Sequence, residues 1–244
     1  MDGNNGNLKD YQLQTDADAS NVLPTSKVRR ACHLMPSHDK AIFFAGEQFV
    51  TINLTSGMTD TVAPPGVQTI IEAWPGLHQS MFPEVDAILG NPANSHEAYF
   101  FLREKYVLMD ITTRQKVFEP KVIVDEWPSL KSAGFTTVDA AVLMDDSSAY
   151  IFRGDQYVRI TVAPGTNNDT IITGPKPIAG NWHVLDNVGF TTVDAILTSP
   201  VGGNQYFFSG VDYVRMVITP GEPNECLNRF ESPLIVFRYR RLER

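Results

Sequence analysis

The chain has 244 residues, 28 acidic and 20 basic, for a formal net charge of −8. Its 43% hydrophobic and 20% charged composition is that of a globular protein and excludes a disordered or collagen-like chain. No apolar run reaches the roughly 18 residues of a membrane-spanning helix, and the acidic balance argues against a nucleic-acid partner, which needs a cationic surface.

In chain order, residues 1–27 open as Met1-Asp2-Gly3-Asn4-Asn5 and stay polar and aperiodic. They lack the basic start and apolar block of a signal peptide, so they read as a disordered arm on a cytosolic protein. From residue 28 the chain is β-patterned and repeats itself. The first unit begins at Arg30-Ala31 and carries Ile42-Phe43-Phe44, a turn at Gly46, Phe49-Val50 and Trp74-Pro75-Gly76-Leu77. The second begins in Phe82-Pro83-Glu84-Val85-Asp86-Ala87 and carries Tyr99-Phe100-Phe101, Tyr106-Val107 and Trp127-Pro128-Ser129-Leu130. The third and fourth begin with one identical hexapeptide, Phe135-Thr136-Thr137-Val138-Asp139-Ala140 and Phe190-Thr191-Thr192-Val193-Asp194-Ala195. Tyr150-Ile151-Phe152, Tyr157-Val158 and Trp182 follow in the third unit, and Tyr206-Phe207-Phe208 and Tyr213-Val214 in the fourth, which has no Trp.

Aromatic and β-branched runs split by Gly, Asp and Pro clusters predict three or four short strands per unit, with a hairpin tip at Gly154-Asp155 and a short helix after Trp127. A unit of about 54 residues of this kind is one propeller blade. The expectation is an all-β, single four-bladed β-propeller over 28–244, with blades starting near 30, 86, 139 and 194. A lone blade cannot bury both faces, so the matching Trp and Phe residues are expected between blades.

The Asp-Ala starts, the Tyr-Phe-Phe strand, the Lys-Tyr-Val or Gln-Tyr-Val strand and the Trp-Pro-x-Leu segment resemble the haemopexin-repeat family. Asn167-Asn168-Asp169 and Ile171-Ile172-Thr173-Gly174-Pro175-Lys176-Pro177-Ile178 look like plant haemopexin-fold seed albumins of the legume albumin-2 type. The resemblance implies a central channel in which backbone carbonyls at the Asp slot bind a cation, often calcium. Carried over, that ring is Arg30, Asp86, Asp139 and Asp194, with Arg30 departing from the family pattern. A second ring of Cys32, Ile88, Ala141 and Ile196 lies two residues on. The Asp side chains are expected to face neighbouring blades and bond backbone N–H groups there.

The resemblance further implies a non-catalytic protein that binds a polyamine such as spermine, or haem, with a storage or stress-related role and a homodimer as one assembly. An acidic protein suits a polycation, although Arg30 opposes it. His33, His38, His78, His96 and His183 are the candidate haem ligands, and spacing selects none. Cys32 and Cys226 are too few for a disulfide scaffold and are expected as free thiols. Nucleotide, serine-hydrolase and Cys-x-x-Cys motifs are absent, so no enzyme is expected. A protein-interaction scaffold and a propeller hydrolase are the alternative readings.

Overall fold

The computed structural model describes residues 30–54, 60–163, 165–200 and 202–221, together with 226–227 and 237–238, with the backbone alone at 30, 226–227 and 237–238. The N-terminal arm lies outside the described residues. The first sheet runs β1 (Arg30–Leu34), β2 (Lys40–Ala45), β3 (Gln48–Asn53) and β4 (Thr61–Val62), with β5 (Gln68–Thr69) also on β3. Two single-turn helices follow, α1 (Ile70–Ala73) and α2 (Pro75–Gln79). The second sheet holds β6 (Ala87–Asn91), β7 (Asn94–Leu102), β8 (Lys105–Asp110), β9 (Gln115–Lys116) and β10 (Lys121–Val122), followed by α3 (Ile123–Glu126) and α4 (Pro128–Ala133). The third is β11 (Ala140–Leu143), β12 (Ser148–Arg153), β13 (Gln156–Thr161) and β14 (Ile171–Pro177), followed by α5 (His183–Val188). The fourth is β15 (Ala195–Thr198), β16 (Gln205–Ser209), β17 (Asp212–Ile218), β18 (Cys226–Leu227) and β19 (Phe237–Arg238).

All pairings are antiparallel, and the innermost strands β1, β6, β11 and β15 each have one ladder partner. These four strands contact one another around an axis, so the four sheets form a four-bladed propeller. The hairpin tip falls at Gly154-Asp155, between β12 and β13, and the short helix after Trp127 is α4. Pro at the first helical position suits both α2 and α4, where an amide has no helical partner.

Alternation along each strand turns one row of side chains to either neighbour. Four apolar cores result, each drawn from two adjacent blades. Trp74 packs against Phe44 and Phe49 of its own blade and Phe100 of the next, at ring separations of 5.4, 5.9 and 5.5 Å. Trp182 repeats this with Phe152, Tyr157 and Phe207. Trp127 meets Tyr99, Phe101 and Tyr106 in the same way, but the next blade presents aliphatic Ile151 where the others present Phe. The ring closes through Phe43 edge-on to Phe208 at 6.2 Å, and through Cys32 packed among Ala41, Ala195, Leu197 and Tyr206.

The candidate ligand-binding channel

The free edges of β1, β6, β11 and β15 surround the axis, so backbone N–H and C=O groups without ladder partners line it. The Asp slots stand at the start of these strands. The amides of Asp86, Asp139 and Asp194 donate to Phe101, Phe152 and Phe208 oxygens at 2.8, 2.9 and 2.8 Å, which anchors each strand start to its own blade. Each carboxylate also takes a hydrogen bond from within its own blade. Asp86 Oδ2 accepts from the Arg103 amide, Asp139 Oδ2 from Gly154 and Asp194 Oδ2 from Gly210, each at 2.6 Å. This corrects the expectation that these side chains bond neighbouring blades. The reason is the hairpin tip, where Arg103, Gly154 and Gly210 adopt φ of 53°, 57° and 60° and aim their amides back at the strand start. Arg30 begins β1 at the same slot, and a guanidinium cannot accept that bond.

The Asp139 carboxyl has a shifted pKa. Burial raises the Asp139 pKa, the Gly154 hydrogen bond lowers it, the charge of Asp86 raises it, the Arg153 guanidinium lowers it, and the charge of Asp194 raises it. Three acidic residues stand at the strand starts around one end of the channel.

Cys32, Ile88, Ala141 and Ile196 are all buried, at 4, 4, 4 and 5% exposure. Each side chain enters the core shared with the preceding blade, so at this level backbone and not side chain faces the axis. Cys32 is a free thiol, and burial pushes its pKa up, which keeps it protonated. The Cys226 side chain lies outside the described residues.

Among the five histidines, His38, His78, His96 and His183 are exposed, and His33 on β1 is only partly so. Burial lowers the His33 pKa to about 4, so the imidazole is neutral at physiological pH. His96 Nδ1 lies 3.0 Å from Thr112 Oγ1 and His183 Nδ1 lies 3.9 Å from Asp186 Oδ2. Among the described residues no group of three His, Cys, Asp or Glu side chains gathers to hold a metal. A channel cation would therefore depend on backbone oxygens, hard ligands of the kind calcium takes.

Reading the sequence assigned no role to Arg114 or Asp169. Arg114 stands in the turn between β8 and β9, and its guanidinium lies over Phe49 and Trp74 of the first blade at 5.3 and 5.2 Å. Asp169, in the matching turn between β13 and β14, accepts the Ser129 amide at 2.8 Å. Aligning the two turns by repeat would have exposed the difference, because the first carries a cation and the second an anion.

No family model matches the chain. Albumin-2 of Pisum sativum is 34% identical over 144 residues, which is 56% of this chain and 61% of the pea protein. The chain thus spans about three fifths of the curated relatives it matches. Among solved structures, a haemopexin-fold protein from cow pea superposes with a TM-score of 0.71 at 24% identity, covering 82% of this chain and 90% of its own. A plant lectin with two metal-binding sites from Cicer arietinum gives 0.74 at 21% identity, covering 87% and 93%. The chain is similar in sequence to legume albumin-2, and its fold is the four-bladed propeller of haemopexin-type seed albumins.

Proposed function

We propose that this protein is a non-catalytic, cytosolic small-ligand binder whose channel holds a cation, calcium foremost, and whose ligand is a polyamine such as spermine, or haem. A storage or stress-related role goes with that reading. The observation that carries it is the ring of unladdered backbone edges that β1, β6, β11 and β15 turn to the axis, with Asp86, Asp139 and Asp194 at the starts of three of these strands. Backbone carbonyls turned to such an axis are hard oxygen ligands for a metal ion, and acidic residues at the strand starts favour a protonated amine. The chickpea relative named for two metal-binding sites supports the cation in kind.

Calorimetric titration with spermine and with calcium, and an absorbance titration with haemin, test the proposal. Saturable binding is expected, with spermine or calcium weakened about tenfold, equivalent to about 1.4 kcal/mol, by Asp139→Asn. This variant keeps an acceptor for the Gly154 amide and removes the charge. Three flat titrations up to about 1 mM would leave the channel without a ligand.

A further inference from the structure

The first two blades build the same aromatic box, and only the first box is filled. In the first, Phe49 and Trp74 receive the Arg114 guanidinium, whose Nη1 also donates to Ala73 O at 3.2 Å. Partial burial lowers the Arg114 pKa, and an arginine stays charged through such a shift. In the second box, Tyr106 and Trp127 stand where Phe49 and Trp74 stand, joined by Tyr99 and Phe118. The register makes the equivalence firm. The Gly76 amide donates to Arg114 O at 3.0 Å, and the corresponding Ser129 amide donates to Asp169 Oδ2 at 2.8 Å. An aspartate therefore replaces the arginine, and no guanidinium from the third blade enters the second box. Ile151 in place of Phe also leaves it roomier.

What remains is a cleft of about 440 Å³ between the second and third blades. Its walls are the faces of Tyr99, Tyr106 and Trp127, and its rim carries Glu97, Glu126 and Asp169 against the single ammonium of Lys121. Lys121 is committed to Glu126 at 2.6 Å and lies over Phe118 at 5.2 Å, outside the Tyr106–Trp127 pair. Glu97 accepts from the Asn91 and Asn94 amides, neither of which neutralises it. Asp169 is 5% exposed, and its one hydrogen bond among the described residues uses Oδ2 alone. Burial and then the nearby anions raise the pKa of both tyrosines, to about 12 for Tyr99, so the box is electronegative. Aromatic faces beside one buried carboxylate, Asp169, and two half-buried ones attract a delocalised, weakly hydrated cation.

We propose that this inter-blade box is a binding site for an exogenous alkylguanidinium, which takes the place that Arg114 takes in the first blade. Asp169 would pair with the cation, and Tyr106 and Trp127 would stack on its plane. The site is separate from the axial channel, and neither reading depends on the other.

The test uses the full chain, titrated with agmatine and with Nα-acetylarginine amide, while the indole N–H resonances of Trp74, Trp127 and Trp182 are followed. Saturable binding in the millimolar range or tighter is expected, with the Trp127 resonance shifting and the other two fixed. Agmatine binding alone would identify a free small guanidine as the ligand, and equal binding of both would identify an arginine side chain. Asp169→Asn, which keeps an acceptor for Ser129, and Trp127→Phe are each expected to weaken binding about tenfold. Asp139→Asn in the channel is expected to leave it unchanged. No saturation by about 10 mM, equal affinity for butylammonium, or agmatine binding indifferent to both box variants would overturn the proposal. The wild-type resonance shift needs no variant, so a variant that fails to fold does not spoil the test.

Discussion

His33 and Asp139 stand beside the axis and respond oppositely to acid. The His33 pKa falls from 6.5 to about 4 on folding. Between those values the unfolded chain binds a proton that the native state refuses, so stability drops as pH falls from 6.5 to 4. The Asp139 pKa is raised above its usual 3.8, so the native state binds its proton first and stability drops as pH rises above 3.8. The His33 window reaches well above the carboxylate range and is expected to dominate. Urea melts should show a loss of about 1–3 kcal/mol between pH 6.5 and 4. His33→Gln should flatten that slope. An unchanged slope would place the acid-sensitive group elsewhere. The Asp slots were legible in sequence because Val-Asp-Ala recurs in three units. Their bonding partners were not, because the direction of the tip amides depends on a positive φ at Arg103 as much as at two glycines.

At the scale of elements, the start of α2 lies hard against the β8–β9 turn of the next blade. A Cβ on Gly76 would stand 2.4 Å from the Lys116 amide nitrogen and 2.7 Å from the Gln115 carbonyl carbon. Backbone atoms cannot yield as a side-chain end can, so Gly76→Ala is expected to destabilise by about 1–3 kcal/mol or more. Gly90 on β6 is the contrast. A Cβ there meets His33 Cε1 at 3.5 Å and Leu143 Cδ2 at 3.6 Å, which is ordinary contact. Gly90→Ala is expected to be neutral or to stabilise by up to about 0.5–1 kcal/mol through lost backbone entropy in the unfolded chain. Thermal melts of the pair check both signs, and equal losses would contradict the account. The strands and the Pro-started helix after Trp127 could be read from local pattern. The tight approach at Gly76 could not, because it is made by a turn about 40 residues downstream.

At the scale of the whole molecule, no blade owns a core. Trp182 in the third blade is sealed by Phe207 from the fourth, and Trp74 in the first by Phe100 from the second. Unfolding should therefore be one transition, with tryptophan fluorescence and far-ultraviolet circular dichroism coinciding. Two separated steps would show that a blade pair folds alone. Removing 194–244 should expose the third core and abolish that transition, because Phe207, Val214 and Met216 leave with the fourth blade.

The sequence by itself determined the blade number, the strand character and the positions of the Trp and Asp slots, because repeated local pattern sets turns and alternation without reference to distant residues. Only the tertiary structure decided which of those equivalent positions differ. A guanidinium closes one aromatic box and an aspartate leaves the next one open, because each box is completed by a turn from the neighbouring blade, and contact between blades is set by packing and not by adjacency along the chain.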